Sequence, residues 1–349
     1  MCKISLIISL NFNPGHVSHM VASYKQCEEL GYVPYYYVTN QFTCFLPKGS
    51  RMLVYGKDVV SSCALAIFLF PAKGNLKVIY NLKRHFGSKI IYIFHEPLGP
   101  MKIYRKAGFT YSYLAKLWII NRISALTVKW SDVILLPSNK AVQLYESNRL
   151  YKNKNYYCLP LLFDDENTDN YSKIQRQYFS YIGTVAADHS FNEYISFVEN
   201  AIAKNMLSQL RFLIATKSEF EVPQVLKESP RVVIKKGEPL SNEVINEYYS
   251  STYVVWNAYA RTTQSGVLAK SFMFGTPAIL LRKNLSEFTK DEGDVVAIDD
   301  NTSTEQIFEA VNKIVANFNE YSISCRKRFE ECFYYRKYNA RFKEILSSL

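Results

Sequence analysis

Apolar positions along this chain fall into short unbroken runs, separated by stretches in which they recur with helical spacing. Residues 4–10 form the first run, and a continuous apolar run suits a strand buried on both faces of a parallel sheet. Asn13-Pro14-Gly15 then reads as a turn. Residues 17–30 carry helical spacing and stop at Gly31, a suitable C-cap. A second strand, rich in Tyr and Val, is predicted over 33–38, with others near 51–55, 64–70 and 90–94. A long helical stretch over 113–130 precedes a strand over 132–136. Strands spaced by helices predict a doubly wound α/β sheet.

A polar stretch over 163–170 reads as a linker, and the pattern then restarts. Strands are predicted over 179–182, 211–215, 231–234, 253–256 and 277–281. Helices are predicted from Gly183 through Asn205, over 244–249, over 267–274 ending at Gly275, and over most of 304–346. The expected organisation is a first Rossmann-like domain over 1–165, a second over 171–330, and a C-terminal helix over 331–349 that returns to the first. No repeat of fixed period and no low-complexity segment interrupts this. Two such halves facing across a cleft would hold ligands at the carboxyl ends of their strands.

A length of 349 residues with 48% hydrophobic and 21% charged content fits two globular cores. The longest apolar run, over 63–71, is too short to span a bilayer. The first ten residues read as a buried strand, because a signal peptide needs a longer apolar region and a small-residue cleavage site. Seven cysteines occur without a C-x-x-C pair. That is the usage of reduced thiols in a cytosolic chain, with neither a zinc nor a disulfide framework. The net charge of +11 is uneven: residues 1–170 carry 20 Lys and Arg against 10 Asp and Glu, and residues 171–349 carry 22 against 21. A one-sided basic field attracts nucleic acid, an anionic lipid surface or a phosphorylated substrate.

The segment over 252–287 runs strand, polar loop, helix, Gly-Thr-Pro turn, strand. Its loop, Gln264-Ser265-Gly266, opens a helix whose free N–H groups and positive dipole end suit an anion. Arg261 lies just before it and Lys270 one turn inside. On loop chemistry alone, an ordinary βαβ loop with solvated charges explains the segment equally well. His95-Glu96-Pro97 ends the strand over 90–94, where site chemistry sits in such sheets. Either side chain there can serve as a general base toward an acceptor hydroxyl or bond a donor sugar; the plain alternative is a strand cap. Gly15 can admit close approach of a ligand to the first loop, or simply make the turn. The histidines lack metal-ligand spacing and no D-x-D triplet occurs, so no obligatory metal is expected. From Lys102 to Arg122, bases alternate with aromatics: Lys102, Arg105, Lys106, Lys116 and Arg122 interleave with Tyr104, Phe109 and Trp118. That pattern suits either a lipid interface or a solvated basic face with its rings in the core.

The order of segments resembles GT-B glycosyltransferases, especially the retaining family 4 and its relatives. Phe274-Gly275-Thr276-Pro277-Ala278-Ile279 resembles the C-G-T-P-V-I ending of that family's donor region. Tyr181-Ile182-Gly183-Thr184 resembles the first strand and glycine loop of the donor domain. Ser131-Asp132-Val133-Ile134-Leu135-Leu136-Pro137-Ser138 resembles the segment that closes the acceptor domain. Leu30-Gly31-Tyr32-Val33 resembles the end of the first helix. Lys236-Gly237-Glu238 and the helix after it resemble the part that holds the nucleotide base. The family's paired glutamates, E-x7-E, fall here on Thr262 and Lys270, so the motif is degenerate. Its Arg and Lys after the glycine loop fall on Thr184 and about His189. Lys270, Arg261, Lys217 and Arg282 are the cations left to rebuild a phosphate clamp.

The resemblance implies a metal-independent hexosyltransferase without a cofactor, moving a sugar from a nucleotide-sugar, of UDP type, to a lipid-linked or polysaccharide acceptor in cell-surface glycan synthesis. It implies donor contacts from Gly15, Gly183, Thr184, Lys217, Glu238, Arg261, Thr262, Gln264, Ser265, Gly266 and Lys270, and catalytic roles for His95 and Glu96. Lys102, Arg105, Lys106, Lys116, Trp118 and Arg122 are the expected contacts to membrane or acceptor. The expected location is cytoplasmic, peripheral on the inner face of the cell membrane, with no nucleic-acid partner. A GT-B-fold sugar-nucleotide epimerase is the alternative. A nucleic-acid-binding protein is the lesser one, since no helix-turn-helix, zinc-finger or RNP-type signature occurs.

Overall fold

A computed structural model describes residues 3–106, 110–151, 154–186 and 188–349. The chain divides into two compact units, one comprising Met1–Asp164 with Tyr335–Leu349 and the other Asp165–Tyr334.

The first unit runs β1 (Lys3–Ser9), α1 (Val17–Glu29), β2 (Tyr32–Val38), β3 (Met52–Val54), β4 (Leu65–Phe68), α2 (Asn75–Phe86), β5 (Lys89–Ile93), α3 (Met101–Lys106), α4 (Tyr111–Trp130), β6 (Val133–Leu136), α5 (Asn139–Ser147) and β7 (Tyr156–Cys158). Its seven strands pair in the order β3-β2-β1-β4-β5-β6-β7. Every pairing is parallel, with Ile7 set between Tyr36 on one side and Ile67 on the other. A parallel pair needs a crossover, and crossovers on both faces bury the central strands, β4 and β6 along their whole length. Leu6, Ile8, Phe68, Ile90, Tyr92, Phe94 and Ile134 form the centre of that core. Side-chain caps set the helix starts: Ser138 accepts from Ala141 N–H at 3.1 Å to begin α5.

The second unit opens with α6 (Asp169–Ser172), then β8 (Tyr178–Ile182), α7 (Phe191–Ala203), β9 (Arg211–Ala215), α8 (Gln224–Glu228), β10 (Val232–Lys235), α9 (Asn242–Ser250), β11 (Thr252–Trp256), α10 (Gly266–Met273), β12 (Ala278–Leu281), β13 (Val295–Ile298), α11 (Thr304–Ala316) and α12 (Phe318–Cys332). Its six strands, again all parallel, pair in the order β10-β9-β8-β11-β12-β13. Phe179, Tyr194, Phe197, Phe212 and Trp256 interlock in its core with edge-on ring contacts. The last helix, α13 (Asn339–Ser347), belongs to the first unit. There the Tyr335 hydroxyl donates to Glu29 Oε1 at 2.6 Å, and Asn339 Nδ2 donates to Glu29 Oε2 at 2.7 Å.

The apolar pattern predicts most of these elements to within two residues. The run over 64–70 forms a strand from Leu65 to Phe68, with the Ala64 and Leu69 N–H groups still donating to the Ile4 and Ile8 carbonyls at its two ends. The pattern does not mark α2, α3, α5, α6, α8, β7 or β13. The last two are short: Tyr156–Cys158 is an edge strand, and Val295–Ile298 lies between Asp294 and Asp299.

Two polar groups shape the interior against the hydrophobic pattern. In α4 the buried side carries Asn121, Ser124 and Thr127. In the second unit, Arg176 precedes β8 and is half-buried. Its Nη1 donates to Thr276 Oγ1 at 2.8 Å and to the carbonyls of Tyr249 and Thr252, and its Nη2 to that of Phe274. The guanidinium also lies over the Phe318 ring at 4.7 Å. It thereby satisfies carbonyls at the end of α9, the start of β11 and the turn before β12. Burial pushes its pKa down to about 10, so it stays charged at neutral pH. Replacing it by methionine strands these acceptors, each costing about 1–3 kcal/mol when buried and unpaired. Arg176→Met should therefore lower the stability of the second unit by about 3–4 kcal/mol in guanidinium unfolding. An unchanged midpoint would show that solvent reaches these carbonyls.

Candidate functional site

In the second unit, β9, β8 and β11 are neighbours, so the loops after them gather at one edge of the sheet. Gly183 ends β8 with φ 154, and a Cβ there would meet the Tyr259 hydroxyl at 3.3 Å and Val267 Cγ2 at 3.7 Å. Glycine thus lets the strand end approach the start of α10 closely. Ser265 caps α10 by accepting from Leu268 N–H at 3.3 Å. Asn257 Nδ2 donates to the same hydroxyl at 2.9 Å, which fixes the cap from the end of β11. Gln264 and Ser265 are buried, whereas Gly266 and Thr262 are half-buried and Arg261 is exposed. Arg261 Nη2 lies 3.8 Å from Asp188 Oδ2, and the Ala260 N–H donates to the Asp188 carbonyl at 2.7 Å.

The loop after Gly183 folds over this edge. His189 stacks on Tyr259 with ring centroids 4.1 Å apart, and its Nδ1 donates to the Thr184 carbonyl at 2.7 Å. Lys217 follows β9, half-buried, and burial lowers its pKa. Beside it, Ser218 Oγ accepts from Val185 N–H at 3.1 Å and so ties the β9 loop to the β8 loop. The structure therefore gathers Gly183, Thr184, Lys217, Arg261 and the Gln264–Gly266 helix start at one sheet edge. These are cations and a helix N-terminus, which together suit an anion. Glu238 is exposed in the loop between β10 and α9. Arg282, after β12, pairs with Asp291 at 3.0 Å and Asp299 at 3.3 Å.

Lys270, expected to meet a donor phosphate, is only 5% exposed. Its Nζ donates to Glu166 Oε2 at 2.8 Å and to Asn242 Oδ1 at 2.9 Å. Glu166 also accepts from Asn242 Nδ2 and from Asn246 Nδ2, the latter at 2.9 Å. The carboxylate thus binds α9 to α10. Burial lowers the Lys270 pKa, and the Glu166 charge opposes that shift. The sequence pattern misses this network because Glu166 sits in a polar stretch that reads as linker, 104 residues from Lys270.

In the first unit, β1, β4 and β5 are neighbours, and the residues after them form a second group. Phe70, beyond β4, stacks on His16 with centroids 3.3 Å apart and lies 6.0 Å from the His95 ring. His95 is half-buried beyond β5, and Glu96 beside it is exposed. Burial lowers the His95 pKa, the neighbouring Glu96 charge opposing it, so the ring is neutral at pH 7 and able to take a proton. Gly15 is exposed, and a Cβ there would meet only Asn13 Oδ1 at 3.6 Å, an ordinary contact. Phe70 and His16 escape the sequence reading, because an aromatic at a strand end looks like core and His16 has no metal-type spacing.

Lys102 and Arg105 are exposed on α3, and Lys116, Trp118 and Arg122 are exposed on α4. The side chain of Lys106 lies outside the described residues. Among the described residues, no group of three or more His, Cys, Asp or Glu side chains is placed to hold a metal ion. No helix there is long and apolar enough to cross a membrane.

No protein-family model and no curated protein matches the chain. Solved structures match it along its length. Anabaena HepE in complex with UDP and glucose superposes with a TM-score of 0.71 at 11% identity, covering 99% of this chain and 100% of that one. Sucrose-phosphate synthase from Thermosynechococcus elongatus gives 0.68 at 12%, covering 99% and 98%. A glycosyltransferase from Rickettsia africae ESF-5 gives 0.68 at 10%, covering 99% and 97%. Likeness at this identity fixes the fold, a GT-B arrangement of two parallel-sheet α/β units, and carries neither the family-4 assignment nor its glutamate motif.

Two outcomes follow from the site geometry. Lys270→Met should destabilise the second unit by about 3–5 kcal/mol, because it strands a buried carboxylate. Adding Glu166→Gln should recover much of that loss, and a double-mutant cycle in guanidinium measures the coupling; additivity would mean that the pair does not interact. For His95, the folded pKa lies below the ordinary 6.5, so the unfolded chain binds more protons in the window between them. His95 stability is thus present above pH 6.5 and lost as pH falls through that window. His95→Asn should flatten the loss of stability below about pH 6.5, read from unfolding midpoints on either side of it; an unchanged slope would place the ring in water.

Proposed function

We propose that this chain is a glycosyltransferase that takes a sugar from a UDP-sugar and passes it to a hydroxyl of a lipid-linked or polysaccharide acceptor. The observation that carries the reading is the edge of the second sheet. There Gly183, Lys217, Arg261 and the capped start of α10 lie on the loops that follow the neighbouring strands β8, β9 and β11, a set whose charges suit a diphosphate, in a fold shared with proteins solved with UDP or UDP-glucose.

In this reading the α10 N–H groups, Lys217 and Arg261 neutralise the charge that grows on the leaving diphosphate. Glu238 and α9 border the nucleoside. Glu166 and Lys270 act as positioning residues that hold α9 against α10. His95, neutral and half-buried, takes the proton of the acceptor hydroxyl or bonds the transferring sugar, with Phe70 and His16 as an aromatic floor. No metal is needed, since the protein's own cations meet the charge. The transferases among the similar structures favour transfer over the epimerase reading. The basic excess of residues 1–170 supports an acceptor carried at an anionic membrane, with the enzyme on its cytoplasmic face.

Thermal denaturation with UDP and UDP-sugars tests the donor assignment, because a ligand of the folded state raises the midpoint. UDP should raise it and Lys217→Ala or Arg261→Ala should weaken binding by about 1.5–3 kcal/mol, roughly 10–150-fold. Slow UDP release from a UDP-sugar without acceptor should survive EDTA, and His95→Ala should cut turnover far more than donor affinity. Absence of any stabilisation by nucleotide, or complete dependence on a divalent ion, would refute the scheme.

A further inference from the structure

Helix α4 is built inside out. Its buried stripe comprises Leu117, Asn121, Ser124, Thr127 and Val128, of which three are polar. Asn121 Oδ1 accepts from Asn148 Nδ2 at 3.0 Å and from the Tyr151 hydroxyl, and Thr127 Oγ1 donates to the Ile123 carbonyl at 3.1 Å. The opposite side carries Trp118, Ile119, Leu126 and Trp130, exposed by 51%, 53%, 48% and 37%. Helical spacing places these four side by side, with Lys116, Arg122 and Lys129 exposed among them. The 20 residues of the helix include no Asp or Glu. Arg122 lies over the Trp118 ring at 5.1 Å.

A single exposed apolar residue is ordinary on a protein surface. An exposed row of large apolar side chains, interrupted only by cations and opposite a polar buried face, is not, because folding in water alone would place Asn, Ser and Thr outward. Beside this row lies an open groove of about 560 Å³, lined by Arg122, Leu126, Lys129, Leu150 and Lys154, with no acidic side chain. Lys154 Nζ donates to the Ser131 carbonyl at 2.8 Å, which holds that cation at the groove. Three cations around two leucines match a ligand with a phosphate at one end and a hydrocarbon chain at the other.

We propose that α4 lies flat in the interface of an anionic phospholipid bilayer, its tryptophan and aliphatic face in the headgroup–acyl boundary and a lipid phosphate seated among Arg122, Lys129 and Lys154. Tryptophan rings favour that boundary, and basic side chains near an anionic surface add attraction. A second copy of the chain is a poor occupant, since two such faces would oppose cation to cation. The inference rests on the membrane-borne acceptor proposed above and names the element that reaches the membrane.

The full chain, without nucleotide, is sedimented with vesicles of phosphatidylglycerol in phosphatidylcholine and with phosphatidylcholine alone. Emission is followed with acyl-brominated lipids. The chain has three tryptophans, of which Trp256 is buried in the second unit, so lipid quenching reports Trp118 and Trp130. Wild type should bind the anionic vesicles at low salt with quenched emission, and bind the neutral vesicles at least tenfold more weakly. Arg122→Gln, Lys129→Gln and Lys154→Gln should each weaken binding about fivefold. Trp118→Ser with Ile119→Ser should abolish quenching while circular dichroism and the melting midpoint stay unchanged. No binding at low salt overturns the proposal, as does binding without quenching, which places another surface on the lipid. Dimerisation in ultracentrifugation that Trp118→Ser removes assigns the face to a second copy and overturns it too. The UDP melting shift is read separately, so a failed donor assignment and a failed membrane contact give different results.

Discussion

Every strand in this protein runs parallel to its neighbours, and that constraint organises the rest. A parallel pair cannot be closed by a tight turn, so each connection must cross the sheet, and most do so through a helix. Both faces of the sheet are then covered, which demands strands such as Ile7–Tyr36 and Ser180–Leu213 pairings flanked by core on either side. The same rule sends the loop after every strand to one edge. The residues there are released from core packing and free to carry polar chemistry. Gly183, Lys217 and Asn257 in one unit, and Phe70 and His95 in the other, share that position without sharing a sequence motif.

The opposite edges are held by half-buried polar groups. Arg176 gathers carbonyls from three segments of the second unit, and Lys83 does related work in the first, bonding Asp132 at 2.7 Å while Asp132 accepts from the Ile90 N–H at 2.7 Å. Such groups fix register where short strands with few ladder bonds leave it weakly set. An apolar replacement would leave the backbone carbonyls without the Arg176 donor, and the Asp132 carboxylate without that of Lys83.

Much of this was legible in the sequence, for a physical reason. A strand buried on both faces must be apolar at successive positions, so 4–10, 90–94 and 211–215 announced themselves. The edge strand Tyr156–Cys158 did not, because it is three residues long and partly exposed. At the candidate site, local signals were visible: a glycine ending a strand, a serine opening a helix, a histidine after five apolar residues. Partners distant in sequence were not. Nothing near Lys270 predicts that Glu166 will neutralise it, and nothing near Phe70 predicts that His16 will stack on it. In α4 the helix itself was legible and its inward face was not. Its apolar residues were periodic, but periodicity alone does not say which face turns inward, and here the polar face does.

The chain enters the first unit, leaves it after Asp164 and re-enters at Tyr335. Glu29 and Gln26 on α1 find their partners in Tyr335 and Asn339, some 310 residues later. During synthesis, α1 must therefore wait until the whole second unit has emerged before its outer face is covered. The second unit is one uninterrupted stretch and can close as soon as it clears the ribosome. The first to be made is thus the last to be finished.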